Sequence, residues 1–128
     1  MIRDTLIPLL QTRFPDRGMK IGLSPKACVT FPALHPEVGP IEIYDDGDEL
    51  TLVAGRFTHG HFSNYDDISL EEKERAIAED VASFLDRLFS DQVVLWGSQG
   101  EGGGWKVITP GTAVRKEYHR EYVWSGPR

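Results

Sequence analysis

The stretch 41-IEIYDDGDELTLVA-54 does most to limit what this chain can fold into. Ile41 and Ile43 on one side, and Leu50 and Leu52 on the other, alternate with polar neighbours around Asp46-Gly47. Alternation of period two places apolar side chains on one face of a strand, and an Asp-Gly pair between two such runs marks a hairpin turn. A hairpin with one apolar face cannot stand alone in water and needs a second layer to cover it. The sequence supplies that layer downstream. Ser69-Leu70-Glu71-Glu72 is a capping box, in which Ser69 caps the helix and Glu72 returns the hydrogen bond. It opens a helix running roughly to Phe89, with Leu70, Ile77, Val81, Phe84, Leu85 and Leu88 on one stripe and charges on the other face. The stripe, Leu70 included, is expected to bury against the sheet.

The remaining elements follow from weaker signals. Ile2, Leu6, Leu9, Leu10 and Phe14 recur at helical spacing, predicting a helix from Asp4 to Phe14 with Asp4 as its cap. Pro8 is tolerable there only near the first turn, and Pro15-Asp16-Arg17-Gly18 ends the helix. Short strands are expected over 19–23 and 27–32, broken by Ser24-Pro25, and 33–40 is a loop with two prolines. The second hairpin strand is expected to continue through Val53 to about His61. Beyond the long helix, QVVLW and WKVI form a second hairpin over 92–109 around the loop GSQGEGGG. The tail 116-KEYHREYVW-124 reads as a strand with Tyr118, Arg120, Tyr122 and Trp124 on one face. These elements give the order α-β-β-β-α-β-β. The expectation is a single α+β domain over 1–128, a two-layer sandwich of about five to six antiparallel strands with two helices on one face.

Length and composition fit that picture and remove several functions. A chain of 128 residues buries a core without disulfide staples, and the lone Cys28 fits a reducing, cytoplasmic setting. Within the strand-like ACVTF, Cys28 reads as a small hydrophobe. No apolar run exceeds five residues, which argues against a membrane span. MIRDTLIPLLQTRFP is too short, and too broken by Asp4, Pro8 and Arg13, for a signal peptide. A net charge of −6 argues against nucleic acid as a partner. The charge is also segregated: residues 37–91 carry fifteen acids against four bases, while the flanks carry five against ten. Such a split can steer a basic protein partner, although a solvated helix with its turns produces the same count.

The densest group of functional side chains is 55-GRFTHGHFSNYDD-67. In a strand, His59 and His61 point the same way and can approach one metal ion, with Asp66 or Asp67 as a further ligand. H-x-H alone is a weak metal signal, and a kink at Gly60 flanked by two histidines is the structural alternative, so no metal or other cofactor is assigned. A candidate site therefore comprises Tyr44, Arg56, His59, His61, Tyr65 and Asp66, with Arg56 also able to pair Asp66 or Asp67. The turn 45-DDGDE-49 lacks calcium-loop spacing. GSQGEGGGW lacks the Gly-Lys-[Ser/Thr] ending and the following helix of a phosphate loop. Ser63, Ser98 and Cys28 are possible nucleophiles, but none stands in a G-x-S-x-G setting, so no catalytic residue is assigned. Asp45, Asp46, Asp48, Glu49, Trp96 and Trp105 are candidate partner-binding residues. The tryptophans either pack in the core or frame a surface beside the 98–104 loop.

Taken together, IEIYDDGDELTLVAGRFTHGHFSNYD, the SLEEK helix start and VVLWGSQGEGGGW resemble an uncharacterised family of small bacterial α+β domains over roughly residues 38–107. The resemblance implies a small soluble domain and carries no catalytic residues. In general character the chain is also similar to immunity proteins, which neutralise basic toxin domains. It is similar as well to type III secretion chaperones, with element order α-β-β-β-α-β-β-α, from which it departs where an aromatic tail replaces the last helix. These likenesses imply a non-enzymatic protein-binding domain, with a homodimer as one possible arrangement. The alternative class is a small metal-dependent or ligand-binding enzyme built around His59 and His61.

Overall fold

The computed structural model describes residues 1–98, 102–108 and 121–127. Along the chain run α1 (Ile2–Arg13), β1 (Lys20–Ile21), β2 (Val29–Phe31), β3 (Ile41–Asp45), β4 (Leu50–Ala54), β5 (Thr58–Phe62) and α2 (Leu70–Phe89). β6 (Val93–Ser98), β7 (Gly102–Val107), β8 (Glu121–Val123) and β9 (Gly126–Pro127) follow. The class is α+β, as expected, with two helices and antiparallel pairing. The strands divide into a five-stranded sheet in sequential order β1-β2-β3-β4-β5 and a second sheet in the order β7-β6-β8-β9.

The hairpin forms as the alternation requires, with Asp45 opposite Leu50 and Ile43 opposite Leu52. Ile41, Ile43, Leu50, Leu52 and Ala54 are fully buried. They share one core with Ile2, Leu6 and Leu10 of α1, and with Ile77, Val81, Leu85 and Leu88 of α2. Phe14, Phe31 and Phe89 meet edge to face with centroids 5.1–6.1 Å apart, joining the ends of both helices to β2. Trp124 lies 5.2 Å from Phe89 and carries the second sheet into the same core. That sheet is further held where Asp91 accepts hydrogen bonds from the Ser125 amide (3.0 Å) and hydroxyl (2.6 Å).

Four local expectations need correction. The strand after the first hairpin does not run on to His61. It stops at Ala54, turns through Gly55, Arg56 and Phe57, and returns as β5 beside β4. Contacts distant in sequence hold this turn: the Gly55 amide donates to Pro40 O (2.9 Å) and the Arg56 amide to Val38 O (3.1 Å). Gly55 has φ of 55°, and a Cβ there would strike the Val38 carbonyl, so the close approach requires glycine.

At α1 the cap is not Asp4, which lies inside the first turn with its carboxylate 3.2 Å from the terminal ammonium. The Arg3 amide at the start of α1 instead donates to the carboxylate of Asp45, 42 residues away, at 2.9 Å. Helix starts leave such amides without an intrahelical partner, and an anion there also complements the helix dipole. Leu70 is 70% exposed rather than part of the buried stripe, which begins at Ile77. Finally, the glycine-rich loop is shorter than expected, because Gly97 and Ser98 belong to β6 and Gly102–Gly104 to β7. Residues 99–101 lie outside the described residues, as do Tyr118 and Arg120 of the tail. Glu121–Val123 of that tail is a strand.

Candidate functional site

With Leu50, Leu52 and Ala54 facing the core, Thr51 and Val53 of β4 face outward. The strand register aligns other outward residues with them. Tyr44, Thr51 and His61 form one cross-strand row, and Glu42, Val53 and His59 the next. His59 and His61 therefore share the outer face, as the period-two spacing requires, with ring centroids 5.3 Å apart. Gly60 between them points inward, where a Cβ would run into the indole of Trp105. Its role is to admit that indole, which also packs 4.6 Å from Phe84 and 6.5 Å from Phe62.

At the upper end of the Tyr44–Thr51–His61 row the sheet meets the β3–β4 turn. Asp46 and Glu49 close it, with the Asp46 amide donating to Glu49 O at 3.0 Å. Glu49 Oε1 lies 3.4 Å from His61 Nδ1. Thr51 Oγ1 lies 3.1 Å from the same nitrogen, and its hydroxyl donates to Asp46. One potential ligand atom each from Asp46, Glu49 and His61 lies within 4.8 Å of the others.

The other candidates occupy different places. Asp45 is half-buried and engaged twice, by the Arg3 amide and by the Gly47 amide at 2.8 Å. Asp48 is exposed at the turn. Among the described residues no lysine or arginine forms an ion pair with Asp46, Asp48 or Glu49. Arg56 is exposed on the β4–β5 turn and forms no ion pair with Asp66 or Asp67 among the described residues. Tyr65, 88% exposed, and Asp66 lie in the loop leading to α2. The tryptophans divide between the faces of the second sheet. Trp105 is opposite Leu95 on the core side, and Trp96 is opposite Gly104 on the other.

Tyr44 and Cys28 both have raised pKa values. The Tyr44 phenol donates to Glu42 Oε2 at 3.0 Å, and this bond to a carboxylate raises its pKa, with desolvation adding to the effect. Burial raises the Cys28 thiol in the same direction, disfavouring the nucleophilic thiolate. Tyr44 and Glu42 border an open cleft of about 310 Å³ with Lys20, Lys26 and Thr30. A second cleft of about 390 Å³ lies between Arg13, Arg17 and Asp86. Neither contains His59 or His61.

The sequence singled out both histidines and the acidic turn, but not that Glu49 and Asp46 stand beside His61. The pairing of Thr51 with His61 produces that approach, and it depends on the turn at Gly55–Phe57. Had that turn been recognised, counting outward from the Ala54–Thr58 pair would have placed His61 next to the acids. No protein-family profile matches the chain, and neither a curated protein nor a solved structure is significantly similar to it.

Proposed function

We propose that this protein is a non-enzymatic binding domain that recognises a basic protein partner through the acidic β3–β4 turn. The observation that carries the reading is the set of carboxylates at one end of the first sheet. Asp46 and Asp48 are exposed and Glu49 is half-buried, none is neutralised by a described lysine or arginine, and a paired hairpin holds all three. Fixed, unneutralised charge of one sign is what speeds encounter with an oppositely charged surface. Asp45 belongs to the framework, since its carboxylate fastens the hairpin to α1.

Charge reversal at Asp48 with a salt titration tests the reading. Asp48 is exposed and accepts no hydrogen bond from a described residue, so Asp48→Lys should leave the fold intact. Its expected effect is a drop of about tenfold in association rate with the partner, and a shallower dependence of that rate on ionic strength. Association unaffected by both the substitution and salt would remove the basis for the proposal.

A further inference from the structure

We infer that Asp46, Glu49 and His61 form a binding site for a divalent transition-metal cation of the zinc type. The inference goes beyond partner binding and does not depend on it, and a cation held there would offset the charge of two of the three acids in that surface. The donor set is mixed: one imidazole nitrogen from β5 and two carboxylates from the turn between β3 and β4, converging from separate strands. Imidazole and carboxylate are both ligands that zinc accepts, and two carboxylates balance the charge of a divalent ion. Tetrahedral zinc with bonds of about 2.1 Å holds its donor atoms about 3.4 Å apart. Glu49 Oε1 and His61 Nδ1 already stand at 3.4 Å. A carboxylate oxygen of Asp46, exposed on the turn, lies within 4.8 Å of a ligand atom of each of the other two.

The sheet fixes the spacing on which this depends. Leu50, next to Glu49, is paired with Asp45 on one side and Phe62 on the other, and Thr51 is paired with His61. Thr51 donates to Asp46 and lies 3.1 Å from His61 Nδ1, so it sits between two of the three donors. His59 lies outside the set, so the site offers three protein ligands and one open position. This gives the H-x-H pair a different division of labour from two equal ligands: His61 binds and His59 flanks.

The test is calorimetric titration of ZnCl2 into the metal-free full chain, with MnCl2 and CaCl2 for comparison. The expected result is one equivalent of zinc per chain, weakened at least tenfold by His61→Ala and by Glu49→Gln. Asp48→Asn and His35→Ala should leave it unchanged. His61→Gln keeps a polar side chain of similar length and, with circular dichroism, shows that any loss is local. The imidazole nitrogen resonances of His61 should shift on zinc addition while those of His35 stay in place. Absence of saturable uptake, or uptake that survives His61→Ala, overturns the inference. Because Asp48 is not a ligand, loss of partner binding in Asp48→Lys with zinc uptake retained separates this site from the partner surface.

Discussion

Asp45→Ala should destabilise the fold although Asp45 belongs to a run of surface acids that looks dispensable. Its carboxylate accepts from two backbone amides, Arg3 at 2.9 Å and Gly47 at 2.8 Å. The Gly47 amide faces solvent, so water replaces its partner at a cost of about 0.5 kcal/mol. The Arg3 amide is partly buried at the start of α1, where loss of a capping acceptor costs about 1–2 kcal/mol. The sum is about 2 kcal/mol, a substantial fraction of a marginal stability. Asp48→Ala, three residues away, should stay within about 0.5 kcal/mol of the parent. Asp45→Asn should fall between the two, since an amide oxygen can still accept from one of the N–H groups. Urea unfolding followed by circular dichroism measures all three. The expected result is a lower midpoint for Asp45→Ala with an unchanged slope, the signature of altered stability alone. If Asp45→Ala and Asp48→Ala unfold together, the tie between hairpin and α1 carries no weight and the reasoning fails.

Two further outcomes follow from packing. Gly60→Val drives side-chain atoms into the Trp105 indole and should cost about 1–3 kcal/mol, with a change in tryptophan emission; parent-like stability would contradict the close approach. Leu70→Ser should change stability by less than about 0.5 kcal/mol, because the side chain is 70% exposed. Leu85→Ala, on the same helix but fully buried, should cost about 2–5 kcal/mol, and equal effects in unfolding experiments would refute the assigned helix face.

What could be read from the sequence was what short-range chemistry determines. The Ser69 cap rests on contacts three residues apart, and the Ser69 hydroxyl does accept from the Glu72 amide at 3.2 Å. The Asp46-Gly47 hairpin likewise follows from alternation over a few residues. The turn at Gly55 did not show itself, because two of its three amides bond to Pro40 and Val38 and no Asn-Gly or Asp-Gly marks it. The same gap hid the approach of Glu49 to His61, which exists only once β5 folds back on β4. Asp4 was a reasonable cap by position, but a tertiary carboxylate took that role. Leu70 fits the periodic stripe yet lies in the first turn of α2, ahead of the buried part of the helix. Periodicity gives direction around the helix, while burial also depends on where along the axis the covering layer begins.

The most direct test of the central claim is native mass spectrometry of the protein isolated gently from its own host, alongside the Asp48→Lys variant. The expected result is a complex of the 14.4 kDa chain with a protein of net positive charge, absent or strongly reduced for Asp48→Lys. A complex that survives charge reversal, or a partner without positive charge, would contradict recognition through the acidic turn.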